Sequence, residues 1–93
     1  MENTMDKKIY IFKESTNFRF EHYFGRRCVI GFFRDPETNL LRATIDFIDY
    51  QNKWIRTSIL ALPPRDVGSE HIIRTINSVY TFVDTGEIFK ETI

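Results

Sequence analysis

From Phe18 to Leu60 apolar residues recur at alternate positions. That is the period of a chain whose successive side chains point to opposite faces of a sheet. The pattern predicts strands at 7–13, 17–24, 27–34, 40–48 and 53–60. In the second, Phe18, Phe20, His22 and Phe24 share one face, with Arg19, Glu21 and Tyr23 on the other. In the third, Cys28, Ile30 and Phe32 oppose Val29, Gly31 and Phe33. A strand apolar on both sides belongs in the middle of a sheet, and Gly31 leaves a gap suited to a bulge or a neighbouring ring. The fourth sets Leu41, Ala43, Ile45 and Phe47 against Arg42, Thr44 and Asp46. The fifth sets Ile55, Thr57 and Ile59 against Trp54, Arg56 and Ser58.

Turn chemistry separates these segments. Gly25-Arg26 marks one turn and Asp49 to Asn52 another. Asp35-Pro36-Glu37-Thr38-Asn39 has Asp and Pro at the first two corners of a type I turn, and an Asn that tolerates the left-handed region. Pro63-Pro64 ends the ladder. Beyond it Ile72, Ile73, Ile76, Val79, Tyr80 and Val83 recur at helical spacing, with Ser69 as N-cap and Gly86 as stop. The spacing predicts a helix from about Glu70 to Val83. The expected fold is therefore α+β: an antiparallel β-meander of four to five strands followed by one C-terminal helix packed on one face. Residues 1–93 form a single domain, with 1–6 frayed and 87–93 a short tail docked through Ile88 and Phe89.

Composition adds one question. Nine Phe, four Tyr and one Trp make 15% of the 93 residues aromatic. Such rings either enlarge a small core or stand exposed for binding. Formal net charge is zero, which argues against a polyanion binder with a broad basic surface. The charge is uneven, however. Residues 17–34 carry Arg19, Arg26, Arg27 and Arg34 against Glu21, a local +3. Residues 35–51 carry Asp35, Glu37, Asp46 and Asp49 against Arg42, a local −3. A bipolar surface suits a protein partner or self-association. In strand order alone, a meander followed by one helix resembles the single-strand-binding sheets of the whirly and Pur-alpha families.

Catalytic and metal chemistry find no pattern to stand on. His22, Cys28 and His71 lack zinc-ligand spacing, and no nucleophile, base and orienter stand out. Asp46 with Asp49, and Asp66 with Glu70, read as turn and cap residues. No catalytic residue, metal or cofactor is predicted. The single cysteine cannot close an internal disulfide, residues 1–8 are polar, and the apolar runs are short. These features predict a cytoplasmic protein with no membrane span.

Two binding readings follow. The first is a non-enzymatic module acting by protein–protein interaction, as an adaptor, inhibitor or regulatory subunit or as a homodimer, since interfaces favour aromatics and Arg. The second is a binder of single-stranded DNA or RNA on the second and third strands, with rings stacking on bases and Arg meeting phosphates. Between them they nominate Arg19, Tyr23, Arg26, Arg27, Phe33, Tyr50, Trp54 and Arg56. The plainer alternative is an amphipathic strand pair whose Arg stems cover apolar surface.

Overall fold

Period-two alternation is realised in seven strands of the computed structural model, which describes residues 4–92. They are β1 (Thr4–Ser15), β2 (Arg27–Arg34), β3 (Leu41–Phe47), β4 (Trp54–Ile59), β5 (Arg65–Val67), β6 (Glu70–Arg74) and β7 (Val79–Thr92). All pairings are antiparallel, in the sheet order β4-β3-β2-β1-β7-β6-β5. The meander over β2, β3 and β4 follows the alternation and its turns, with Ile30 opposite Ile45 and Ile45 opposite Ile55. At the Asp35 turn, Asp35 accepts from the Thr38 N–H (3.0 Å) and Asn39 takes φ 59°.

The C-terminal helix does not exist, and the fold is almost entirely sheet rather than α+β. Residues 70–83 are instead β6, a turn and the start of β7. The deciding residue is Thr75. Its Oγ1 accepts from the backbone N–H groups of Asn77 (3.3 Å) and Ser78 (3.0 Å) and donates to the Ser78 carbonyl (3.1 Å). Hydroxyl-to-backbone bonds of this kind favour a turn over a helix. On either side, Ile73, Tyr80 and Phe82 point inward at strand spacing. Ile76, placed on the supposed helix stripe, is 66% exposed in the turn. Many apolar residues here are β-branched, which suits the pleat better than a helix. The strand-order resemblance to the helix-covered sheets falls with the helix.

Two further expectations change. Phe18–Tyr23 is a short 3-10 helix, not a strand. It is started by Asn17, whose side chain accepts from the Arg19 N–H (3.2 Å). Residues 87–92 are no tail but the end of β7, paired with the start of β1 from Lys8–Ile88 to Thr4–Thr92. Gly86, at φ 79°, sits where the β1–β7 register shifts, so it serves a bulge rather than a helix end. Residues 4–6, expected to fray, are strand; residues 1–3 of that expectation lie outside the described residues.

The sheet coils back on itself. A bulge in β4 sets two of its residues, Thr57 and Ser58, against one of β3, Ala43, because Thr44 faces Arg56 while Arg42 faces Ile59. Thr57 repairs the interrupted ladder: its buried hydroxyl accepts from the Ala43 N–H (3.0 Å) and donates to the Ser58 carbonyl (2.8 Å). The bulge bends the strand. Past it, the Ala61 N–H donates to the Arg74 carbonyl (2.9 Å) and the Ile76 N–H to the Ile59 carbonyl (3.0 Å). β5 then runs on along β6, with Arg65 opposite Ile72. β4 and β5 are thus two halves of one bent run, and the sheet closes into a small barrel.

Inside lie Phe12, Cys28, Ala43, Ile45, Phe47, Ile55, Ile73, Tyr80 and Phe82. Phe12 is central, with Phe82 stacked at 5.5 Å and Phe24 edge-on at 5.3 Å. The 3-10 helix and the residue after it cover one end through Phe20 near Tyr80, Tyr23 on Phe47 and Phe24 on Phe12. No helix among the described residues is long and apolar enough to cross a membrane.

Candidate functional site

Barrel closure puts one set of strand residues inside and leaves the alternate set on the outer face. On β2, β3 and β4 that outer set is Val29, Gly31 and Phe33, then Arg42, Thr44 and Asp46, then Trp54, Arg56 and, past the bulge, Ile59. Phe33 lies directly opposite Arg42, whose guanidinium carbon is 5.7 Å from the ring centre. Arg56 reaches the other way. Its guanidinium carbon is 5.3 Å from the Phe33 ring and 5.2 Å from the Trp54 ring two residues along its own strand. Gly31 contributes no side chain to this face, and a Cβ there would stand 3.0 Å from Thr44 Oγ1. The gap predicted at Gly31 is therefore real, but a threonine hydroxyl lies against it rather than a ring.

The two arginines of this patch differ in charge balance. Arg42 is neutralised: it bonds Asp35 Oδ1 at 3.1 Å and the Thr57 carbonyl at 2.8 Å. The Asp35 carboxyl is held below its usual range by the Thr38 backbone N–H and then by Arg42. Arg56 has no carboxylate partner among the described residues. It is a cation fixed against two rings, with Trp54 itself 49% exposed. Cation–π contacts at such exposed sites are worth about 0.5–1 kcal/mol each, enough to order a long side chain in advance of binding.

A second group forms where the 3-10 helix meets the β3–β4 turn. Tyr23 stacks on Phe47 at 4.3 Å, and His22 lies 4.1 Å from Tyr23. Tyr50 meets Tyr23 edge-on at 6.3 Å, and the Arg26 guanidinium lies 5.0 Å from the Tyr50 ring centre. His22, Tyr23, Tyr50 and Lys53 line a shallow depression. Arg27 belongs to neither group. It spans Asp49 (3.1 Å) and Glu87 (3.5 Å), which raises its own pKa and lowers that of Asp49. Arg19 stands apart, 6.0 Å from the Phe20 ring.

Of the residues nominated from sequence, the structure gathers Phe33, Trp54 and Arg56 in one patch and Tyr23, Arg26 and Tyr50 in another. Arg19 and Arg27 join neither. Sequence reasoning missed Arg42, which the Asp35 turn alone would have set opposite Phe33. It also missed the Asp66–His71 pair. His71, which falls in the first turn of the expected helix, has its Nδ1 2.7 Å from Asp66 Oδ1 and its ring 5.1 Å from Tyr10, so it ties β5 to β6 against β1. Among the described residues no group of three His, Cys, Asp or Glu is placed to hold a metal ion. No family model matches the chain, and no curated protein or solved structure matches it.

Proposed function

We propose that this chain is a non-enzymatic binding module that docks a partner protein on the outer face of β2, β3 and β4. The observation that carries the reading is Arg56, held between Phe33 and Trp54 with no carboxylate partner among the described residues. Trp and Arg dominate the energetics of protein interfaces, and a pre-ordered pair loses less entropy on binding. The partner in this reading offers a carboxylate to Arg56 and an apolar contact to Trp54. In this reading the working compartment is the cytoplasm, where a lone cysteine stays reduced.

Single-strand binding is the weaker alternative because three of the four nominated rings, Phe33, Tyr50 and Tyr23, are already engaged. Phe33 carries an arginine from each of two strands, Tyr50 carries Arg26, and Tyr23 is stacked on Phe47. Base stacking needs an open ring face.

The test compares quantitative capture from the source cell by the unaltered chain and by Trp54→Ala, Arg56→Ala and Arg19→Ala. The first two changes are expected to remove the same captured protein by at least about tenfold, roughly 1.4 kcal/mol of binding, with Arg19→Ala neutral. Equal capture by all variants overturns the reading. In parallel, mixed single-stranded DNA and RNA are titrated at low and moderate salt. Binding that falls steeply with salt and is lost on Arg26→Ala with Arg56→Ala would turn the reading to nucleic acid.

A further inference from the structure

The corner where β4 becomes β5 carries a second surface that shares no residue with the β2–β4 patch. Two shallow grooves of about 300 Å³ each meet there and share Leu62 and Pro63. Leu40 (51% exposed), Leu62 (53%) and Val67 (48%) lie along them. Arg34, Arg65 and Arg74 also line them. Among the described residues none of these three arginines has a carboxylate partner, and Arg34 bonds only the Asn39 carbonyl (3.1 Å). Nearby acidic groups are engaged elsewhere: Asp66 with His71, Glu70 with Lys13. An apolar strip flanked by unpaired cations is complementary to a segment that is apolar in the middle and acidic at its ends.

The strip also has a strand edge. Beyond the closure at Leu60 and Thr75, β5 pairs, among the described residues, on one side only, with β6. An extended peptide can add to such an edge by main-chain bonds while alternate side chains enter the pockets beside it. A lipid surface would use the arginines and leucines but not the edge, so the edge favours a peptide.

We propose that this corner captures an extended segment of a partner protein, with apolar side chains on Leu62 and Val67 and flanking carboxylates on Arg65 and Arg74. Strand alternation sets the probe: the blocked heptapeptide Glu-Ser-Leu-Ser-Leu-Ser-Glu places both Leu and both Glu on one face. It is titrated into the full isotope-labelled chain and followed by amide chemical shifts. The expected result is saturable shifts at Leu40, Leu62, Arg65 and Val67. Affinity should fall at least tenfold with Lys in place of both Glu, and likewise with Arg65→Ser plus Arg74→Ser. These arginines are exposed, and unchanged shift dispersion of the variant checks its fold. Leu62→Asn, also at an exposed position, should weaken binding as well.

No shifts at millimolar peptide, equal binding of the Lys peptide, or shifts centred on Trp54 and Arg56 each overturn the proposal. So does binding to anionic phosphatidylserine vesicles by a chain that ignores the peptide. Trp54→Ala should leave the titration unchanged, which separates failure here from failure of the β2–β4 reading.

Discussion

Phe12 and Trp54 are both aromatic residues on strands of one sheet, yet their surroundings have nothing in common. Phe12 has no exposed surface and its ring packs among those of Phe24, Phe47, Tyr80 and Phe82. Trp54 is half exposed on the outer face, with an arginine laid against it. Many of the aromatics thus divide between a buried barrel interior and outer patches where rings hold cations. The interior sets stability, and the outer face is free to vary with little cost to the fold. That division can be tested position by position.

The largest effect is expected at Phe12. Truncation to Ala opens a cavity at the centre of the ring cluster and should cost about 3–5 kcal/mol, read as a lower urea midpoint. Thr57→Val comes next. It keeps the shape but leaves the buried Ala43 N–H without its acceptor, for a loss of about 1–3 kcal/mol. If Thr57→Val is silent, the bulge does not depend on that hydroxyl.

Cys28 provides an alkaline test of the interior. Burial, and then the charge of Asp46, push its thiol up to about 12. The folded chain therefore keeps a proton that the unfolded chain loses above about pH 8.5. Stability from this group is fully present below that pH. It should fall by at most about 1.4 kcal/mol per unit as pH rises toward the folded value. Cys28→Ala should remove that slope, and alkylation of the native thiol should require unfolding.

The outer face should respond weakly. Trp54→Ala is expected to move stability by only about 0.5 kcal/mol, while removing partner capture. A loss as large as that of Phe12→Ala would erase the distinction between the two regions. Smallest of all is the acid response of the surface bridges. Asp35 and Asp49 are both held below the usual carboxylate range, Asp35 first by the Thr38 N–H and Asp49 first by Arg27. Their contribution is present above that range and lost as pH falls through their lowered values. Since Asp49 is exposed to solvent screening, Arg27→Gln should flatten the acid limb only slightly.

The alternation in 27–60 was legible because every local signal agreed. The Asp35 turn set the β2–β3 register, but on β4 only Ile55 lies opposite Ile45, because past the bulge Ile59, expected on the Ile55 face, falls opposite Arg42. Residues 17–24 misled because Phe-Arg-Phe-Glu-His-Tyr-Phe fits a strand as well as a 3-10 turn, and only the Asn17 cap and the ring cluster beneath decide. Residues 70–83 misled for a similar reason. Ile72, Ile73, Ile76, Val79 and Tyr80 satisfy a helical period, but splitting the run at the 75–78 turn puts all of them except Ile76 into two strands. The Thr75 turn and the β-branched content were the available signals.

The sequence by itself determined which residues alternate across β2, β3 and β4, and hence that Phe33, Trp54 and Arg56 face away from Cys28, Ile45 and Ile55. Alternation is a local property of an extended chain, so it can be read without knowing what packs on what. Only the tertiary structure decided which of the two faces became the interior. A helix would have covered one side of an open sheet. Instead the β4 bulge and the bonds from Ile59 and Ala61 to β6 bring segments fifteen residues apart into one ladder and close the barrel. Closure depends on pairings distant along the chain, and no local period encodes them.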